Sequence, residues 1–266
     1  MTLIANLRLT DAFARQGSSP LTRHVNLKKT QGYTLAEVAV VVIVIGLIAA
    51  ISVGAYSKAL GGNEVRTASA SAENITGAVL AFARLNNRLP CPDTDGDGRE
   101  GDSSGACPAS REVGYVPYES IGLDNPPTVE RGIYGVYRNA GAIADLVVPA
   151  ATLSRNNFQR ALIRGSALAT APAAISTTHV FVTGNNASTG AENCGSQRVF
   201  HPAFVVVVPG SDRDGNGNNL DGIHAGLPGS GLCIASPDRV PNTVFDDRTV
   251  STGFTTLLGL ISTDAP

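Results

Sequence analysis

The sequence predicts an α+β fold: one long N-terminal helix, apolar in its first half and amphipathic in its second, packed on an antiparallel β-sheet domain. Three observations predict it. Residues 33–56 form a nearly unbroken apolar run; apolar residues then recur every three or four positions as far as Phe82, with no proline before Pro90; and beyond residue 90 short β-branched runs alternate with Gly, Asn, Pro and Ser. The expected divisions are therefore a basic leader over 1–32, an apolar helical half over 33–56, an amphipathic half over 57–89 and a β-rich globular domain over 90–266.

Charged residues make up 16% of the 266, against ~25% in globular proteins. That is too few for a disordered tail, and the balance gives no support for nucleic-acid binding. The net charge of -2 is uneven: Arg8, Arg15, Arg23, Lys28 and Lys29 against Asp11 give the leader +4, leaving -6 on the rest. With no Trp and a single Met, an aromatic cage or a Met-rich groove is not expected.

The apolar run would rise roughly 36 Å as a helix, enough for a ~30 Å hydrocarbon core, so a membrane-spanning segment is expected. Arg23, Lys28 and Lys29 precede it and only Lys58 and Arg66 follow, which places the N-terminus in the cytoplasm and the C-terminal domain across the membrane. A buried core helix and a secretory signal cleaved near Tyr56 are the alternatives. Glu37, a carboxylate inside the run, argues against the signal.

Directly before the run stand Lys28, Lys29, Thr30, Gln31, Gly32, Tyr33, Thr34, Leu35, Ala36 and Glu37. Basic residues, a glycine, an aromatic residue, then Thr, Leu and a Glu four positions on: this resembles the N-terminal signal of type IV pilins and type II secretion pseudopilins. The resemblance covers about residues 23–90. It implies a pilin-like fold, cleavage of a prepilin leader between Gly32 and Tyr33 by prepilin peptidase, and N-methylation of Tyr33. It also implies that Glu37 pairs with the terminal amine of a neighbouring subunit. The leader is long for a pseudopilin, and the usual mid-helix proline is missing, with Gly46 and Gly54 available in its place.

In the second helical half Val65, Ala68, Ala72, Ile75, Val79 and Phe82 line one face, Gly61 and Gly62 mark a weak point, and Asn86 and Asn87 suggest the end. Expected strands are 132–137, 179–183, 199–208 and 243–250, with Val205 to Val208 central and buried on both sides, and 161–174 suggests a short helix. Cys91, Cys107, Cys194 and Cys233 allow three disulfide pairings, of which Cys91 with Cys107 and Cys194 with Cys233 is the simplest. Their irregular separations, with no Cys-x-x-Cys pair, disfavour zinc.

Two acidic clusters match the opening of a calcium loop, in which alternate oxygen ligands wrap one ion and a Gly permits the turn. One holds Asp93, Asp95 and Asp97, with Gly98, Glu100 and Asp102 following. The other holds Asp212, Asp214, Asn216, Asn218 and Asp221. Neither completes an EF-hand, since the closing position falls on Ser104 or Ile223; an Asp/Asn/Gly-rich surface turn is the plain alternative. No nucleophile elbow, metalloprotease helix, P-loop or dinucleotide fingerprint is present, and His179, His201 and His224 are expected to be satisfied or solvent-facing.

The expected function is therefore non-enzymatic: a filament subunit, and a minor one given its large loop-rich domain. Its partners would be prepilin peptidase, other pilin or pseudopilin subunits in a helical filament and an inner-membrane assembly platform. The expected location is the bacterial inner membrane with a periplasmic C-terminal domain, then a filament. A secreted or membrane-tethered calcium-stabilised hydrolase or binding domain is the rival.

Overall fold

A computed structural model describes residues 32–169, 178–184, 192–195, 197–229 and 231–262, with residues 50–63 and Ala169 described as backbone only. The chain divides into two units, Met1–Val53 and Gly54–Pro266, and each is taken by itself. The expected leader lies outside the described residues except for Gly32, as does the Ala-rich stretch beyond Ala169.

Helix α1 is Leu35–Asn86. In the first unit its apolar side chains are solvent-facing, from Leu35 at 89% exposure through Val41 at 55% to Ile48 at 59%. In the second unit Ala68, Ala72, Ile75, Val79 and Ala83 are buried at spacings of three and four, while Val65 and Phe82 are only half-buried. The helix stops at Asn87, whose φ of 54° is the left-handed conformation that asparagine tolerates better than most residues.

Beyond α1 the second unit holds strands β1 (Val113–Tyr115) and β2 (Ile133–Val136), helix α2 (Arg155–Ala169), strands β3 (Phe181–Thr183), β4 (Arg198–Phe200), β5 (Phe204–Val208), β6 (Cys233–Ile234) and β7 (Arg248–Thr252), and helix α3 (Phe254–Ser262). One antiparallel sheet has the order β1-β2-β5-β7, and a second has the order β4-β3-β6, in which β3 and β6 run parallel. Strand β5 is central and wholly buried. Phe204, Val206 and Val208 join the core formed with α1, α2 and α3, and Val205 and Val207 join a second core with Val180, Leu220 and Ile234. The first sheet is thus covered on both faces, which is why a continuous Val run suits its middle strand.

The expected fold class is corrected here. Among the described residues no helix is long and apolar enough to cross a membrane. Nor does one antiparallel sheet make up the domain: the second sheet is mixed, and α2 and α3 add a helical layer. The single strand expected over 199–208 is two strands in different sheets, parted at His201–Ala203, where Pro202 has no N–H to give a ladder. The last expected strand lies later, at Arg248–Thr252, and α2 begins at Arg155, where the Ser154 hydroxyl accepts the Asn157 amide as an N-cap. Helix α2 carries Gly165 where any Cβ would run into the Phe254 ring of α3.

Disulfides join Cys91 to Cys107 and Cys194 to Cys233, with Cα separations of 6.1 and 5.9 Å. The segment after Cys91 lies along the edge of the first sheet, where Asp93 and Tyr115 exchange both backbone hydrogen bonds, at 3.0 and 2.7 Å. Gly114 permits this approach, since a Cβ there would meet the Asp93 carbonyl oxygen.

Candidate functional site

Residues 32–37 are exposed, and nothing surrounds the position a Cβ would take on Gly32. Thr34 and Glu37 form a reciprocal capping box at the start of α1. The Glu37 carboxylate accepts the Thr34 amide at 2.8 Å and its hydroxyl at 3.0 Å, while the Thr34 hydroxyl accepts the Glu37 amide at 3.3 Å. Both contacts to Thr34 use Oε2 of Glu37. A Thr-x-x-Glu sequence therefore explains locally why the helix starts here, and the carboxylate favours the positive end of the helix dipole.

The two acidic clusters fold in the same way. In the first, the buried Asp93 carboxylate accepts the amides of Asp95, Gly96 and Gly98, at 3.2, 2.6 and 2.8 Å. In the second, Asp212 accepts those of Gly215, Asn216 and Gly217, at 2.8, 3.0 and 3.0 Å. Gly96 and Gly98 have φ of 82° and 89°, and Gly215 and Gly217 have 73° and 90°, so the shared Asp-x-Asp-Gly-x-Gly pattern winds each loop around its leading carboxylate.

Ligand atoms of Asp93, Asp95 and Asp97 lie within 4.8 Å of one another, as do those of Asp212, Asp214 and Asp221. Asn216 and Asn218 direct their side-chain oxygens to amides of the loop itself, at Asn218 and Leu220. Burial pushes the Asp93 carboxyl above its ordinary range, opposed by the amides of Gly98, Gly96 and Asp95. Burial also raises Asp221, with amides of Arg213 and Asp246 opposing and the neighbouring Asp247 carboxylate adding to it. Hard oxygens gathered in this way suit a calcium-like cation, which would also relieve the crowded charge.

Sequence reasoning missed the partners of the second loop. Asp246 and Asp247, both buried, come within 4.8 Å of Asp221. Asp247 accepts the Asp221 amide at 2.9 Å, the Gly210 amide at 3.3 Å and Nδ1–H of His224 at 2.9 Å. His224 is fully buried, and its Nε2 accepts the Ala235 amide at 3.0 Å, which fixes the proton on Nδ1 and makes the ring neutral. Asp246 takes the Ser211 hydroxyl and amide and Nε–H of Arg213, whose other end reaches Glu64 at 2.8 Å. The signal available in the sequence was the adjacent Asp pair just before β7.

The other described histidines are also engaged. His201 Nδ1 bonds the Val180 carbonyl at 2.7 Å, and His179 Nδ1 meets the buried Glu112 at 2.6 Å. Glu112 also accepts the Val180 amide at 2.6 Å, joining the start of β1 to that of β3. These contacts hold the two sheets together. Set beside known proteins, the chain matches no family model, no curated protein and no solved structure.

Proposed function

We propose that this chain is a non-enzymatic subunit of a helical filament of the type IV pilus or type II secretion pseudopilus kind. On this reading prepilin peptidase at the bacterial inner membrane cuts between Gly32 and Tyr33 and methylates Tyr33. An assembly platform then adds the subunit to others through α1, with the folded unit on the periplasmic side. The reading is carried by one observation: the ordered Gly-Tyr-Thr-Leu-Ala-Glu signal opens onto a helical run whose apolar side chains, Leu35 to Ile48, are exposed and need cover. Like helices from other copies supply it. The disulfides support an oxidising compartment for the second unit.

Mass spectrometry of the mature N-terminus tests the reading. N-methyl-Tyr33 is expected, and an N-terminus near Tyr56 would overturn it. Glu37→Ala should leave the chain processed but missing from purified filaments, and recovery there at normal abundance would count against the role given to Glu37. Calcium is the cation we assign to the loops opened by Asp93 and Asp212. Titration calorimetry of chelator-treated protein should show heat on calcium addition, reduced in Asp212→Ala; no heat and no rise in melting temperature would rule calcium out.

A further inference from the structure

The second unit carries opposite charges at two stations along α1. At one, a groove of about 560 Å3 is lined by Glu64, Glu130 and Asp212 together with Thr67, Ser71 and Asn219. Asp214, Asp221, Asp246 and Asp247 are joined to the same network, His224 within it is neutral, and the guanidinium of Arg213 is shared between Glu64 and Asp246. Glu130 is exposed and makes no ion pair among the described residues. A negative field therefore remains over the groove, even with one divalent cation held in the Asp212 loop.

At the other station Ala83, Arg84 and Asn87 of α1 meet Arg155 and Phe158 of α2 and Ile261 of α3. Neither α2 nor α3 contains a carboxylate side chain. Arg84 and Arg155 donate to the carbonyls of Leu260 and Ile261 at the negative end of α3. Arg160 and Arg164, one turn apart on the outer face of α2, are exposed beside Ile163, itself 56% exposed. From Ala68 to Arg84 the helix rises about 24 Å.

We propose that the Arg160 and Arg164 face of α2 in one copy docks into the Glu64 and Glu130 groove of the next copy, end to end. The two patches differ, so the contact is heterologous; repeated by translation along α1 it does not close, which gives a polymer rather than a dimer. Attraction between the patches steers the approach, and the exposed Ile163 and the groove floor at Ala68 and Val208 give apolar contact once charge has aligned them. This deepens the filament reading and rests on it for the shared direction of neighbouring copies.

The test uses the full-length chain carrying both Thr67→Cys, in the groove lining, and Ala167→Cys, exposed one turn beyond Ile163 on α2, treated with a short bismaleimide. The described native cysteines are all in disulfides, so only the introduced thiols react. A cross-link within one chain leaves a monomer, so only an end-to-end contact between copies yields a ladder of dimers, trimers and longer products. The ladder should fall about tenfold in molar salt, where the Debye length shrinks to about 3 Å, and in Arg160→Glu with Arg164→Glu. A chain with Val41→Cys alone reports separately on contact through α1. Absence of the ladder while Val41→Cys copies cross-link overturns the docking and leaves the filament reading standing. A ladder without Val41→Cys cross-links supports the docking and removes assembly through α1. Loss of both overturns both, as does a ladder unmoved by the charge reversals for the docking alone.

Discussion

Asp247→Ala offers the sharpest test of how the second loop is held. The substitution strips the acceptor from two buried donors, the Asp221 amide and Nδ1–H of His224, and from the half-buried Gly210 amide. Each unmet donor costs about 1–3 kcal/mol, partial relaxation reduces the sum, and broken buried charge networks lose about 3–5 kcal/mol in total. That corresponds to a fall in melting temperature of about 10 °C for a unit of this size. Urea unfolding of the full chain, followed by circular dichroism, measures the loss directly. Asp247→Asn keeps one acceptor oxygen and should lose roughly half as much. A loss below about 1 kcal/mol in Asp247→Ala, with an unchanged denaturant slope, would refute the claim that this carboxylate organises residues 210–224.

Removing the Cys91–Cys107 disulfide by paired serine substitution frees a loop of sequence separation 16 and should cost about 3 kcal/mol, read as a lower urea midpoint; an unchanged midpoint would show that the loop is already fixed by Glu100 and the sheet edge. Asp102 tests acid behaviour. The Ser104 hydroxyl, then the amides of Ser104 and Ala106, hold its carboxyl below the ordinary range. The stability it lends is present above about pH 3.9 and is lost as pH falls through the lowered folded value. Asp102→Ala should therefore flatten the acid limb of a melting-temperature profile below about pH 3.9, and an unchanged limb would contradict the assignment.

How much of this was legible in the sequence depended on the range of the interaction that decides each element. Strand β5 was legible because Val205 to Val208 is β-branched, continuous and ended by Pro209, and the α1 face from Ala68 to Val79 because its period is local. The paired Asp-x-Asp-Gly-x-Gly turns were legible because each is closed by amides within five residues. The parting of 199–208 was not, since only the third dimension separates the partners of β4 from those of β5. Asp246 and Asp247 reach the second loop from over twenty residues away, so spacing within that loop gave no hint of them. The apolar content of 33–56 was plain, but composition read it as a membrane span that the described helix is not long and apolar enough to provide.

The backbone exchange between Asp93 and Tyr115 has a protective consequence. An uncapped outer strand with free N–H and C=O groups is a template on which a foreign or misfolded chain can add. Here the chain's own turn occupies that template, and it is pinned there by a covalent cross-link on one side and a carboxylate-centred winding on the other. A cross-β seed would have to unseat both before it found a foothold on β1.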